Sequence, residues 1–253
     1  MSSSARKDLF EVIAIHRVPA HLPKEEFEGK LEALIDQLLL LPIFKQNILK
    51  LQILLQNDRF DEYLESYECP PREPLAVVKV QAETIDNIMA IMNDLEVQKM
   101  VKRAEDFGLP SATCAFGIDV ERTMDRVSCV EAADRVHLVC IYKVPENISA
   151  EEYSRGFESF TETFPGVPTI QENFVKFEKW LPNNVLDDHL HGVGYSRPDP
   201  TFLLHVEFES WENVIAFQNA DSRKPVLAAN RDFNLNTRAC GFTADLVTKH
   251  ERV

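Results

Sequence analysis

No run of about 18 apolar residues occurs anywhere in the chain, which leaves no segment suited to cross a membrane as a helix. The opening, MSSSARKDLF, carries charge but has no hydrophobic segment behind it, so it does not read as a secretory signal, and a cytoplasmic address is expected. Cysteines are few. Cys69, Cys114, Cys129, Cys140 and Cys240 are odd in number and never spaced CxxC, which argues against both a disulfide framework and a thiolate zinc site. Positive charge is scarce as well: 27 basic residues face 41 acidic ones, a formal charge of −14 that repels phosphate backbones and anionic lipid. Neither nucleic acid nor a membrane surface is therefore expected as a partner. GxGxxG, the P-loop, GxSxG and HExxH are also missing, which disfavours nucleotide-dependent chemistry and triad hydrolysis.

What the chain does contain is an internal echo. VPAHLPKEEF at 18–27 returns as VPENISAEEY at 144–153, and Pro19 and Pro145 stand 126 positions apart. The same offset relates Pro42 to Pro168, Asn47 to Asn173, Lys50 to Lys176, Asp61 to Asp187, Pro74 to Pro200, Phe107 to Phe233 and Cys114 to Cys240. Identities on one ungapped diagonal indicate a duplicated unit, with copies at 8–124 and 134–250 joined by DRVSCVEAAD.

Each copy opens on a β-branched run, FEVIAIHRV or VHLVCIYKV, which reads as a strand. Phe27, Leu31, Leu34 and Leu38, and likewise Tyr153, Phe157, Phe160 and Phe164, then recur at helical spacing. ILKLQILL and FVKFEKWL, followed by LAVVKVQAE and FLLHVEFE, alternate as second and third strands. Second helices are expected over 85–107 and 211–233, the latter broken near Pro225, before final strands in SATCAFGIDV and TRACGFTADL. The order is β-α-β-β-α-β, the ferredoxin-like unit, so the fold class expected is α+β with two such units in tandem. Ser149 begins an S-x-x-E capping box and Pro23 takes the corresponding place, so Glu25, Glu26, Glu151 and Glu152 read as helix-start residues rather than as a catalytic dyad.

In the third strands Val78, Val80, Leu204, Val206 and Phe208 share one parity, and Lys79, Gln81, His205 and Glu207 the other. Assigning the apolar parity to the helices leaves two partly polar faces that can meet as a barrel within one chain. His205, Lys50 and Lys176 then fall at the interface between the sheets in structural roles, while Cys114 and Cys240, paired with Phe116 and Phe242, read as core.

Two tandem ferredoxin-like units, each with a strand ending in Pro and a helix start of the form [S/P]-x-E-E-[F/Y], resemble the dimeric α+β barrel superfamily, in particular its EthD-like branch. The resemblance implies a menu of activities: cofactor-independent oxygenases, cyclases and isomerases, haem-handling proteins, and proteins without known activity. Many of those relatives carry H-x-P at the end of the first helix; here the segments read LLLLPIF and FPGVPTI, without histidine.

Candidate site residues lie where the copies differ. His16 and its counterpart Tyr142 end the first strands on the helix-facing parity, a position resembling that of acid/base residues in cyclase relatives, though they belong to different half-pockets. In NNVLDDHLHGVGYSRPDP, His189 and His191 form an H-x-H pair beside Asp187 and Asp188, opposite Tyr63 and Glu65 in the first copy. On an extended segment both imidazoles would project to one side. Without a third histidine at metal-ligand spacing no metal is expected there, and an organic acid/base pair of His189 with Tyr195, or a plain surface loop, fits the stretch better.

The function expected is a cofactor-independent enzyme of cyclase, lyase, isomerase or oxygenase type. It would use His/Tyr acid-base chemistry on a small apolar carbonyl or phenolic compound in a helix-sheet pocket. The alternative is a non-catalytic small-molecule-binding or stress-related barrel. No cofactor is called for. The partner expected is a small apolar or aromatic molecule, and the duplication makes a monomer with an internal pseudo-twofold self-sufficient, with room for a weak homodimer.

Overall fold

The computed structural model describes residues 9–64, 67, 73–196, 201–232, 235 and 238–252. Glu65, Cys69, Pro200 and Phe233 lie outside the described residues. The first half runs β1 (Phe10–Arg17), α1 (Lys24–Leu38), α2 (Pro42–Asn47), β2 (Lys50–Asn57), α3 (Asp61–Leu64), β3 (Leu75–Ala82), α4 (Ile85–Met92), α5 (Leu95–Arg103) and β4 (Thr113–Asp125). The second runs β5 (Val136–Lys143), α6 (Ala150–Glu162), α7 (Pro168–Asn173), β6 (Phe174–Asn183), α8 (Asp187–Gly192), β7 (Thr201–Phe208), α9 (Trp211–Asn219), α10 (Lys224–Asp232) and β8 (Ala239–Glu251).

The eight strands close into one barrel in the order β1-β3-β2-β8-β5-β7-β6-β4. Each half contributes its last, first, third and second strands side by side, the ferredoxin-like order. The seams are β2 against β8 and β4 against β6. This explains why β4 and β8 outrun the expected strands: each has 13 residues, enough to pair with β1 or β5 and then with the other half's second strand. All neighbours are antiparallel, so β1 and β5 run the same way and begin at the same end of the barrel.

Helices cover the outside, and the outward parity of the strands is apolar, as the alternation requires. Val78, Ala76 and Ile53 pack against Phe27, Leu31 and Leu38 of α1 in one half. Leu204, Val206 and Phe208 pack with Tyr153, Phe157 and Phe160 of α6 in the other. α6 starts at Ser149, whose Oγ accepts the Glu152 amide at 3.1 Å. This is the forward half of the expected capping box. Pro23 sits at the corresponding N-cap of α1 and gives no side-chain bond. Glu25, Glu26, Glu151 and Glu152 are exposed in the first turns, where they complement the helix dipole. Replacing Ser149 with Ala should therefore cost about 1 kcal/mol in urea unfolding, while Pro23→Ala should cost less because no cap bond is lost.

One expectation is corrected. The helix over 85–107 is not continuous: α4 ends at Met92, and Asp94 starts α5 by accepting the Glu96 and Val97 amides at 2.9 and 3.1 Å. An aspartate competes for backbone donors and so favours a new N-cap over a helix interior. The second half breaks in the corresponding place, with Pro225 in the first turn of α10, where its missing N–H costs nothing.

The barrel interior is divided along its axis. Toward the end where β1 and β5 finish, Ile13, Ile15, Val77, Phe116, Val139, Ile141, Leu203 and Phe242 form a dry cluster. The strand FEVIAIHR is apolar on both faces because both are buried. At the opposite end the interior is ionic and centres on Glu178, which is 1% exposed. Its Oε1 accepts Arg122 Nε and Nη2 at 3.0 and 2.9 Å and lies 3.1 Å from Lys176 Nζ. Its Oε2 accepts Trp180 Nε1 at 3.0 Å and faces Lys79 Nζ at 3.9 Å. Burial alone would push this carboxyl up, but Lys79, His205 and Lys176 hold it well below the ordinary range. Lys79 also pairs with Glu11 at 2.7 Å. Glu178 thus ties β6 to β3 and β4 of the first half.

Candidate functional site

Each half has a gap between its sheet and its helices, closed by a segment that the other half sends across after its own second strand. Phe60, Tyr63, Leu64 and Tyr67 pack on the second half, and α8 with Tyr195 packs on the first. The two gaps are filled differently, for reasons of side-chain volume. At positions 126 apart the first half has Leu38, Ile48, Leu51, Ala82 and Ile91 where the second has Phe164, Phe174, Phe177, Phe208 and Phe217. These phenylalanines meet edge to face or tilted at centroid distances of 4.9–6.5 Å. They leave a cavity of about 70 Å³ beside Tyr142. The first half has a cleft of about 720 Å³, lined at two of these positions, by Leu38 and Ile91.

That cleft has walls of Leu38, Phe44, Ile91, Met92, Val97 and Val101. Pro110, Ser111 and the stretch from Gly192 to Tyr195 form another side, and Gln98, Lys102 and Glu105 add polar groups. Gly194 adopts φ +99°, and a Cβ there would meet Pro110 at 3.0 Å, so the crossing segment needs glycine to lie this close. It is held by Ser196, whose amide donates to the Thr113 carbonyl at 3.2 Å and whose hydroxyl donates to the Ser111 carbonyl at 2.8 Å.

His16 is buried on the helix-facing side of β1, with Nδ1 2.8 Å from Thr113 Oγ1. Burial pushes its imidazole down to about 4, so it is neutral near pH 7. Tyr195 packs beside Val12, Ala14 and Ala115, on the same side of β1 as His16, and burial pushes its phenol up to about 12. Thr113 connects the two: its hydroxyl meets His16, and its carbonyl holds the residue after Tyr195. The structure therefore brings His16 and Tyr195 to one half-gap, a pairing that sequence spacing does not reveal because the segments come from different halves.

Tyr142 stands elsewhere. It is buried in the second half's aromatic core, edge-on to Phe157 and Phe160 at 5.4 and 6.1 Å, rather than at a pocket mouth. The H-x-H expectation is corrected too. Residues 187–192 are helical, so His189 and His191, two positions apart, point to different sides instead of converging. Both are exposed, and the buried residue between them, Leu190, is what anchors α8. The signal that could have located the open gap was the Leu/Phe difference between the copies, more telling than the polar residues.

These features define a closed, eight-stranded α+β barrel with ferredoxin-like strand order in each half and an open cleft between the first half's helices and the crossing segment. No protein-family model matches the chain, and no curated protein is similar to it in sequence. Solved structures are similar in fold. An anthrone oxidase-like protein shares 9% identity over 98% of this chain and 97% of its own, with a TM-score of 0.62. A proposed monooxygenase from Fusobacterium nucleatum subsp. nucleatum shares 8% over 98% and 100%, with a TM-score of 0.54. Among the described residues no helix is long and apolar enough to cross a membrane.

Proposed function

We propose that the chain binds a small, flat, largely apolar carbonyl or phenolic compound in the first-half cleft and processes it without a cofactor. The observation that carries this reading is the cleft of about 720 Å³ that Leu38, Ile91, Val97 and Val101 line together with Gly192–Tyr195. Tyr195, protonated near pH 7, donates a hydrogen bond to the ligand oxygen and steadies an enolate or phenolate as it forms. The proton leaving the ligand passes to water in the cleft, and the carbanion is reprotonated in a rearranged form or takes up one O2, a CH2 becoming C=O with release of one water. The names of the two structural neighbours are in keeping with this class. The chain is read further as an EthD-like barrel built by tandem duplication of 8–124 and 134–250, working as a monomer that contains both halves.

A second reading has its own support. An imidazole held at about 4 is a weak base, so His16 fits hydrogen bonding better than proton abstraction, and the cleft would then carry its ligand without turnover. Anthrone, a tricyclic ketone, serves as the probe. Expected results are saturable binding by titration calorimetry and at least about tenfold weaker binding in Val193→Trp, whose indole enters the cleft. Tyr195→Phe should weaken binding by about 1 kcal/mol and slow any oxygen-consuming turnover about a hundredfold. Binding untouched by Val193→Trp would place the ligand outside the cleft. Binding without turnover would select the carrier reading.

A further inference from the structure

At the polar end of the barrel, away from the cleft, two buried histidines face one another. Nδ1 of His137 on β5 lies 3.0 Å from Nε2 of His205 on β7. The rings are parallel within 3° with centroids 5.3 Å apart, a separation that sets them edge to edge with these nitrogens opposed. The outer nitrogen of His137 fixes the hydrogen of that ring. His137 Nε2 is 2.7 Å from the Ala132 carbonyl, which only accepts, so this nitrogen carries the hydrogen and Nδ1 presents a lone pair. His205 Nδ1 is buried 3.5 Å from Glu178 Oε2 without a hydrogen-bond partner; a hydrogen on Nδ1 would point at that acceptor and leave Nε2 bare. In that tautomer two lone pairs point at one spot between the rings, which a cation would occupy; in the other, His205 Nε2–H donates to His137 Nδ1. Glu207 completes the group, with one ligating atom from each of the three residues within 4.8 Å of the others.

An imidazole whose far N–H is held by a backbone carbonyl or a carboxylate is the arrangement that metal-ligating histidines use. We propose that His137, His205 and Glu207 bind one zinc ion inside the barrel, with Ala132 and Glu178 orienting the two imidazoles. Two nitrogens and a carboxylate oxygen suit this ion. Zinc at about 2.0–2.1 Å from both nitrogens in tetrahedral geometry sets them about 3.3 Å apart, so the pair opens slightly and the rings turn toward the ion. Lys176 Nζ, 3.4 Å from Glu207 Oε1, and Arg135, 2.7 Å from Oε2, hold that carboxylate in the ion-free protein. Zinc takes Oε1 from Lys176 while Arg135 keeps Oε2. The first half has a fixed cation in the matching place: Glu11, Lys79 and Gln81 stand where the second half has His137, His205 and Glu207, and the Lys79 ammonium sits on Glu11 at 2.7 Å.

The test is a titration of chelator-treated, full-length protein with Co²⁺ as a visible probe, followed by displacement with Zn²⁺. One equivalent should develop the ligand-field bands of a four-coordinate site. His205→Asn and Glu207→Gln should each weaken binding by about tenfold or more, and Lys176→Met should tighten it by removing the competing ammonium. His189→Asn with His191→Asn should leave the stoichiometry unchanged. If His205→Asn fails to fold by circular dichroism, the wild-type stoichiometry and the Lys176→Met shift decide. The proposal is overturned by absence of the bands at one equivalent, by unchanged affinity in Lys176→Met, or by loss of binding only in the His189/His191 double variant.

Discussion

Glu178→Ala should destabilise the protein by about 3–5 kcal/mol, lowering its melting temperature by on the order of 10 °C. Removing one member of a buried ion pair leaves the others without compensation, and here one carboxylate serves several cations. Arg122 loses a two-pronged contact at 3.0 and 2.9 Å, Lys176 a partner at 3.1 Å, and the Trp180 indole its acceptor at 3.0 Å. Lys79 and Lys176 retain Glu11 and Glu207, so they are not stranded entirely. Arg122 is 38% exposed and can turn to water, but Trp180 is fully buried and cannot. Arg122→Ala should accordingly cost much less than Glu178→Ala, because Glu178 keeps Lys176 and Trp180. Glu178→Gln should fall between, retaining an acceptor for Trp180 without the charge. Urea unfolding of the three variants measures the ranking. A Glu178→Ala cost below about 1 kcal/mol would show that the ionic end does not hold the β4–β6 seam.

The repeat made much of this architecture legible. Residues 126 apart carry matching helix stripes and strand parities, and the alternation in the third strands marks which face meets the helices and puts Lys79, Gln81, His205 and Glu207 on the other. Three things were not legible. The dry half of the interior was hidden because β1 is apolar on both faces, and alternation carries no signal when neither face meets water. The helical state of 187–192 was missed because DDHLHG is short and polar, and its helix depends on Leu190 docking into the opposite half. The placing of Tyr195 beside Val12, Ala14 and Ala115 depends on that same cross-over, set by tertiary packing across residues far apart in the chain. At the cleft the signal was volume: Leu38 and Ile91 stand there where the second half has Phe164 and Phe217.

The stability of the ion-free protein should fall as pH drops from about 6.5 to about 4, and His16→Gln should remove about 3 kcal/mol of that fall. The sign follows from the two states. In the unfolded chain His16 titrates at its ordinary value of 6.5; in the fold, burial brings it to about 4. Above 6.5 the imidazole is neutral in both states and contributes no slope. Between 6.5 and 4 the unfolded chain takes up a proton that the folded one refuses, so acid favours unfolding. Below about 4 both are protonated and the slope vanishes. His137, also brought to about 4 by burial and by the neighbouring His205, adds a similar contribution, so His16→Gln should roughly halve the wild-type slope. Glu178 and Glu207, held low by their cations, add a loss of stability only below the ordinary carboxylate range, which separates their effect from this window. Urea unfolding of both proteins in chelator at half-unit pH steps measures the difference. Parallel curves would show that His16 takes up its proton without cost, as a group open to the cleft would. A halved slope means the imidazole stays neutral in the fold, sealed beside Thr113.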